Sequence, residues 1–442
     1  MPSVPSLSSV TALGRRALPL LGWAYLVLLP LDIRITGQLF AHDLLVLPMA
    51  CCMLTRLDLR RFLLLPDRLL VVFAGLCVFT TFTHFGGQRD LYELAVFAYV
   101  AFLYVFFSVW PVDRALLWRY ALAVGVGACG VALLQGVAGG FQVHHAYEGS
   151  TLDFLARRLQ LTFDNPNQLA SFMVLPVACG LCALACRPRE ESRIVWRRGL
   201  LLMVLLGLPL LLTASRHLIL TAALTLGFVC ARVPAPSRRL VTWGSWVALA
   251  AVCLLFWLTI LYPFFPLRSE APFFTCSTHG MYTIHQAAYW RIVTLDPRSL
   301  LFGVGSSSVR ALYPLVVDAQ TAHAILAQYR MEHLVGTFLT YMDAHNEYLN
   351  LAAHFGLPAM ASCFAFLVSL AWRPGHANGT PVARMLPFLI AAIAAACLWD
   401  DLLSKRWIWI TLGLMSAQAG GRPQTAAAEG GDLMDVAGTR SA

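Results

Sequence analysis

The sequence predicts an all-α polytopic membrane protein of about twelve transmembrane helices, with a large extracytoplasmic loop that contains surface helices. The first observation is composition, because hydrophobic residues make up 59% of the chain and charged residues 12%. Soluble domains carry about a quarter charged residues. The second observation is the apolar runs, which have the length of helices and lack the alternation of barrel strands.

Each long apolar run is interpreted as a span, because about 20 apolar residues cross a hydrocarbon core of roughly 30 Å. The runs lie at residues 17–32, 39–55, 69–85, 91–110, 120–139, 169–186, 199–214, 218–231, 243–264, 348–372, 385–399 and 407–417. The first run lacks a convincing cleavage site and further spans follow it, so we interpret it as a retained anchor.

Arginines are concentrated in alternate short loops, and this asymmetry predicts which loops face the cytoplasm. With the arginine-rich loops inside, both termini are cytoplasmic, and the hairpin that contains Arg216 faces outward. Four segments follow: residues 1–264 with helices 1–9, an outer loop at 265–346, helices 10–12 at 347–417, and a disordered cytoplasmic tail at 418–442. The tail is assigned as disordered because it is rich in Ala and Gly.

Charge and cysteine usage limit the partners. The formal net charge is +9, but the basic residues lie in short membrane loops, so the predicted partner is the phospholipid bilayer and no nucleic acid. Of 12 cysteines, Cys276 falls in the outer loop and the others lie within or beside apolar runs without metal-ligand spacing. The cysteine spacing therefore predicts no zinc site.

His345 ends the outer loop, immediately before the apolar run 348–372. Histidine is the side chain whose ordinary pKa suits proton removal near neutral pH. The alternative is an interfacial histidine next to a helix N-cap, which would be Asn346 or Asp343. Residues 321–342 have apolar side chains at helical spacing and predict a surface helix before it.

Arg216 lies between two apolar runs, where a guanidinium either extends to the phospholipid headgroups or binds phosphate oxygens as a fork. Arg291 lies in the outer loop, where it is either solvated or paired with a residue such as Asp296. The following Gly-x-Gly-Ser segment, 303–306, could offer backbone amides to an anion. Asn165 and Asn167 form a turn-and-cap pattern, but their amides could also bind sugar hydroxyls.

Four pieces in order resemble the bacterial O-antigen ligase and polysaccharide polymerase superfamily, and most closely an O-antigen ligase. They are residues 163–170 (Phe-Asp-Asn-Pro-Asn-Gln-Leu-Ala), Ser215-Arg216, Trp290-Arg291 with 302–305 (Phe-Gly-Val-Gly), and 345–349 (His-Asn-Glu-Tyr-Leu) with 356–358 (Gly-Leu-Pro). Each piece is short, but the ordered set on this topology is fairly specific.

The resemblance implies a glycosyltransferase in the bacterial inner membrane with a periplasmic active site. Its donor would be an undecaprenyl-diphosphate-linked glycan, and its acceptor would be lipid A core in lipopolysaccharide assembly. The reaction would need no metal and no cofactor. His345 would be the general base of a transfer that inverts the anomeric carbon. Arg216 and Arg291 would hold the diphosphate. Asn165, Asn167, Asn346 and Tyr348 would bind substrate.

Three alternatives stay open at this point. A polymerase would use the same donor with a glycan acceptor. A polysaccharide or lipid flippase would need cations along a path through the spans, whereas the charges at 400–406 are interpreted as a local ion-pair cluster. A metal-dependent glycosyltransferase would use Asp32 or Asp43 as its catalytic acid.

Overall fold

The computed structural model describes residues 7–31, 34–36, 39–54, 65–111, 113–137, 159, 163, 166–213, 215–261, 277–328, 335–340, 343–372 and 380–419. Of the sequence predictions, Asn165, Asp32 and Cys276 lie outside these residues, as does nearly all of the tail. Every structural statement below concerns the described residues.

The described part of the first half of the chain consists mainly of helices. They are α1 (Leu7–Leu28), α2 (Val46–Leu54), α3 (Leu65–Thr83), α4 (Gln88–Val109), α5 (Arg114–Val137), α6 (Pro166–Phe172), α7 (Val174–Ala185), α8 (Ser192–Leu212), α9 (Leu218–Arg232) and α10 (Ala235–Leu261). Two short antiparallel strands, β1 (Arg34–Thr36) and β2 (Leu39–Phe40), precede a 3-10 turn at Ala41–Leu45. They lie in the connection between α1 and α2.

The second half begins with shorter helices and returns to apolar ones. They are α11 (Ser277–Val293), α12 (Pro297–Phe302), α13 (Ser306–Val316), α14 (Ala319–Gln328), α15 (Val335–Thr340), α16 (Glu347–Phe355), α17 (Leu357–Ala371), α18 (Pro381–Ala396) and α19 (Arg406–Ala419). The surface helix predicted at 321–342 corresponds to two separate helices, α14 and α15.

The all-α polytopic fold class is confirmed. Among the described residues, five segments are long and apolar enough to cross a membrane: Pro66–Thr83, Gln88–Val109, Arg114–Val137, Asn167–Ala185 and Ser192–Leu212. Five shorter apolar helices accompany them, at Ala17–Leu31, Ala41–Leu54, Leu218–Arg232, Leu357–Ala371 and Pro381–Ala396. The total of twelve spans stays a prediction.

Helix α7 forms the centre of the bundle, and every residue in it is buried. Its Gly180 allows the Leu202 side chain of α8 to approach, because a Cβ there would lie 2.4 Å from Leu202 Cδ2. The surrounding helices present large apolar side chains outward, such as Leu133, Leu200 and Val204. Large apolar side chains on the outer surface of the bundle fit a lipid environment, since acyl chains solvate leucine well.

Two close helix pairs bring distant parts of the chain together. Helices α9 and α18 run antiparallel, and a Cβ at Gly227 would lie 2.9 Å from Met385 Cα. Helices α4 and α19 also pack together, and a Cβ at Gly413 would lie 2.7 Å from the Tyr104 carbonyl oxygen. Small residues let membrane helices approach this closely. The first pair aligns the turn before α9 with the turn after α18.

The single span predicted at 348–372 is wrong, because Gly356 divides it into α16 and α17. Gly356 has a φ of 87°, and a Cβ there would lie 2.2 Å from the Leu301 carbonyl oxygen. The partner segment is the Gly-x-Gly piece: Val304 N donates to Ala353 O (2.8 Å) and Gly305 N to His354 O (3.2 Å). These two amides therefore satisfy carbonyls at the end of α16, which corrects the expectation that they face an anion.

Candidate active site

His345 lies in a strained turn directly before α16. Its φ is 46°, and of the residues described it is the one non-glycine with a positive φ. Such a conformation costs on the order of 1–3 kcal/mol and persists where neighbouring contacts enforce it. Here Ala344 N donates to Asn350 Oδ1 (3.3 Å) on one side, and Glu347 N donates to Cys397 O (2.8 Å) on the other.

The turn between α18 and α19 brings two carboxylates to His345. Ligand atoms of His345, Asp400 and Asp401 all lie within 4.8 Å of one another. Asn350 Nδ2 donates to Asp401 Oδ1 at 3.4 Å, so the α16 side of the turn also binds the second carboxylate. A histidine beside two carboxylates is stabilised when it takes up a proton.

A third segment, the turn between α8 and α9, contacts the same carboxylates. His217 Nε2 lies 2.5 Å from Asp400 Oδ2, and the His217 side chain is 3% exposed. Arg216 is half-buried in the same turn. The α9–α18 packing places this turn opposite Asp400, so Arg216 lies one residue from a side chain that contacts the His345 cluster.

Ser215 completes the turn. Its hydroxyl donates to Asn167 Oδ1 at 2.9 Å and lies 2.9 Å from His217 Nδ1. Because the hydroxyl proton is directed at Asn167, the Ser215–His217–Asp400 chain is arranged as a structural link and lacks the proton direction of a serine nucleophile. Asn167 thus supports the Arg216 turn.

Asp400, Asp401 and Lys405 shift one another's pKa values. Burial raises the pKa of the Asp400 carboxyl, but His217 and the other nearby cations outweigh burial and hold that pKa below its ordinary value. Burial and the neighbouring Asp400 raise the pKa of Asp401 to about 6. Burial lowers the pKa of the Lys405 ammonium, but Asp400 and Asp401 outweigh it and raise that pKa. Lys405 is therefore a permanent counter-charge.

His285, on α11, is a second histidine beside His345. The two ring centroids lie 6.3 Å apart, and His285 Nδ1 lies 2.5 Å from the Tyr313 hydroxyl. Burial lowers the pKa of His285 to about 3, and His345 contributes in the same direction. His285 is therefore neutral near pH 7.

Arg291 lies on the same helix as His285 but on its exposed surface. Its Nη1 donates to Val316 O at 2.8 Å, at the end of α13. Asp318 is close enough to interact with it electrostatically. No contact between Arg291 and the His345 cluster is recorded among the described residues, so its role as a diphosphate clamp stays a prediction.

A cavity of about 660 Å³ opens beside the cluster, between α4, α16 and the turn before α19. One wall consists of apolar and aromatic side chains of α4, among them Tyr92, Val96 and Tyr99. The rest is strongly polar, and its charged lining residues are Asp43, Arg89, Glu93, Asp343, Glu347, Asp401, Lys405 and Arg406. The cavity thus joins an apolar wall to a highly charged floor.

The cations of the cavity are held in fixed positions. Arg406 Nη1 donates to Asp43 Oδ1 at 3.1 Å, and its guanidinium also contacts the His42 ring. Tyr99 donates its hydroxyl proton to the same Asp43 oxygen at 2.6 Å. Arg89 pairs with Glu93 at 3.4 Å. These pairs orient the two guanidiniums along one side of the cavity.

Asn346 and Tyr348 have contacts within the protein. Asn346 is the N-cap of α16, where its Oδ1 accepts from Leu349 N at 3.1 Å and its Nδ2 donates to Leu398 O at 3.2 Å. Tyr348 stacks on Phe364 with ring centroids 4.1 Å apart. Of the two N-cap candidates the sequence offered, the structure uses Asn346. Substrate binding by these two residues stays a prediction.

His345, Asp400 and Asp401 are also the residues that could hold a metal ion, since each offers one ligand atom at suitable spacing. Lys405 is half-buried and interacts electrostatically with the same two carboxylates, so its ammonium supplies positive charge to them.

In this multi-pass helical membrane protein a histidine lies beside two carboxylates, and one of them, Asp401, lines a large cavity; such an arrangement is typical of a membrane enzyme. Residues 201–364 match the family described as O-antigen ligase. The resemblance predicted from the sequence is thereby confirmed over this part of the chain. The matched stretch includes Arg216, Arg291 and His345. The comparison with curated proteins gave no match.

Several residues of the cluster were not identified from the sequence. Asp400 was interpreted as part of a local ion-pair cluster with Lys405. The structure has that interaction, and it also places Asp400 against His217 and beside His345. The available indication was the concentration of charge in one outer turn of an apolar chain, which is costly unless it has a use. For His285, no sequence pattern distinguishes it from other histidines of the outer loop.

Proposed function

We propose that the chain is an O-antigen ligase that moves an undecaprenyl-diphosphate-linked glycan onto lipid A core, in the bacterial inner membrane with a periplasmic site. The observation that carries the proposal is the position of His345. It is held in a strained turn beside Asp400 and Asp401, within the stretch that matches the ligase family. A base in this setting is suited to activate a sugar hydroxyl.

His345 takes the proton of the acceptor hydroxyl while that oxygen attacks the anomeric carbon of the donor. The bond from the anomeric carbon to the diphosphate oxygen breaks, and undecaprenyl diphosphate leaves with the bonding electrons. The new bond forms on the face opposite the leaving group, so the anomeric configuration inverts. Asp400 and Asp401 stabilise the imidazolium that results, because both carboxylates lie beside it.

The leaving diphosphate requires positive charge, and Arg216 is the side chain proposed to supply it. Its neighbour His217 touches Asp400, and a planar guanidinium can bind two phosphate oxygens at once. Arg291 is proposed as a second clamp that reaches the donor from the outer surface. Charge stabilisation of a leaving group in a site with little water is commonly the largest catalytic contribution.

The cavity supports a lipid-linked glycan as substrate. The apolar and aromatic side chains of α4 suit a hydrocarbon chain, and the charged floor suits the hydroxyls of a glycan. A role for Asp43 as catalytic acid has less support. Its carboxylate already accepts hydrogen bonds from Arg406, Tyr99 and the Phe40 amide, so both of its oxygens are engaged within the protein.

Reconstitution with a defined undecaprenyl-diphosphate oligosaccharide tests the proposal, with lipid A core and a second copy of the donor offered as competing acceptors. We expect a glycosylated lipid A core and free undecaprenyl diphosphate. A product with a lengthened donor glycan would identify a polymerase. Movement of the intact donor across the vesicle membrane, with neither product formed, would identify a flippase and overturn the proposal.

A further inference from the structure

A second cavity, of about 320 Å³, lies at the end of the bundle that the sequence predicts to face the cytoplasm. It forms where α5 and α18 begin and α7 and α9 end. Four of its lining residues are arginines, namely Arg114, Arg187, Arg232 and Arg384, and none of the lining residues is acidic. Arginines of short cytoplasmic loops usually extend into water, whereas these four surround a common hollow.

Hydrogen bonds or an ion pair hold three of these arginines in place. Arg232 Nη1 donates to Arg187 O at 2.7 Å, and Arg114 Nε donates to Gln418 Oε1 at 3.2 Å. Arg187 pairs with Glu191 at 2.7 Å. The described residues that line the cavity thus supply four guanidiniums and no carboxylate. The C-terminal ends of α7 and α9, with their partial negative charges, balance part of this positive charge.

The cavity lies at a membrane boundary. The span Asn167–Ala185 ends beside it and the span Arg114–Val137 begins beside it. A phosphate at the level of the lipid headgroups would therefore reach the guanidiniums, and arginine binds phosphate oxygens as a fork. Basic pockets between transmembrane helices are known to bind anionic headgroups.

We propose that this arginine pocket binds the phosphate headgroup of an anionic phospholipid. The site is separate from the His345 cluster, and it couples the stability of the bundle to lipid charge. Binding to the folded state alone stabilises it in proportion to the logarithm of ligand concentration. Anionic lipid therefore raises the thermal midpoint of the protein.

Thermal unfolding of the purified chain in detergent, with added phosphatidylglycerol or phosphatidylcholine, tests this proposal. We expect a saturable upward shift of the midpoint with phosphatidylglycerol. The double variant R114Q/R384Q should weaken the apparent dissociation constant about thirtyfold, which corresponds to about 2 kcal/mol for two arginines. The matched control R197Q/R239Q removes two exposed arginines that do not line the pocket and should keep the full shift.

Three results would overturn the proposal: no shift in the wild type, an equal loss in both double variants, or an equal shift with inorganic phosphate. A second measurement needs no variant. Cys186 lines the pocket close to Arg114 and Arg232, so phosphatidylglycerol should slow its reaction with a maleimide. Cys253 is similarly half-buried outside the pocket and should react at an unchanged rate; unprotected Cys186 would contradict the proposal.

Discussion

His217 and Asp400 form a contact of 2.5 Å between Nε2 and Oδ2 that joins the turn before α9 to the turn after α18. Asp400 in turn lies beside His345. The three segments are far apart in the chain, and the antiparallel packing of α9 and α18 through Gly227 brings two of them together. The candidate site is therefore a product of helix packing and depends on it.

Replacing Asp400 by Asn should lower both the stability and the transfer rate. The carboxylate interacts with His217 and Lys405, which hold its pKa below the ordinary value of 3.8. A depressed pKa means that the stabilisation is present above pH about 4 and is lost as pH falls towards the folded-state pKa. The wild type should thus exceed D400N in thermal midpoint at pH 7, and the difference should shrink on acidification. Asp113→Asn, at an exposed position, is the control.

His345 should be tested with asparagine because the backbone there is left-handed. Asn tolerates a positive φ better than Ala does, so His345→Asn removes the base with the least damage to the turn. We expect transfer to fall about 10²–10⁴-fold with little change in the thermal midpoint. His345→Ala should lose activity equally and some stability as well. Substantial turnover by His345→Asn would remove the assignment of the base.

The sequence predicts what local hydropathy and charge determine. Apolar composition identifies the class and most of the apolar helices, and the loop that precedes His345 predicts an outer position for it. The break at Gly356 was missed because the apolar run continues across it. Its cause is the approach of Leu301, which lies in another segment.

The sequence predicts the kind of candidate site better than it predicts which residues form it. The sequence identified His345 and Arg216, each beside an apolar run. Asp400 joins them only through the pairing of α9 with α18, which no local pattern encodes. The position of Arg291 depends on how α11 packs on α13 within the outer segment, and there its recorded contact is the Val316 carbonyl.

Lysine substitutions separate a phosphate clamp from a simple positive charge. Arg216→Lys and Arg291→Lys keep the charge but lose the bidentate fork, and we expect each to reduce transfer about 10²-fold or more. Arg298→Lys, at an exposed position on α12, should be unaffected. If Arg291→Lys transferred glycan at the wild-type rate, Arg291 would have only a structural role, through its hydrogen bond to Val316 O.

The transfer rate should rise with pH through the titration of Asp401. Burial and Asp400 raise the pKa of Asp401 to about 6. Below this pH the protonated carboxyl offers no negative charge to the imidazolium of His345, and above it the charge is available. A pH–rate profile should therefore contain an ascending limb near pH 6. In Asp401→Asn the rate should be lower and that limb absent; an unchanged limb would assign it to another group.

The docking of the Gly-x-Gly segment on the end of α16 predicts a large effect of a single methyl group. At Gly356 the φ is 87° and a Cβ would lie 2.2 Å from the Leu301 carbonyl oxygen, a main-chain atom that cannot move independently. Gly356→Ala should destabilise the protein by more than ~2 kcal/mol and lower the thermal midpoint.

Gly75→Ala is the matched control, because no atom lies within 4 Å of its Cβ position in α3. Alanine is favoured over glycine there by about 0.5–1 kcal/mol. Equal midpoints for the two variants would contradict the packing of α12 against α16. Since α16 begins directly after His345, a lower transfer rate in Gly356→Ala at temperatures where it remains folded would show that this packing also positions the base.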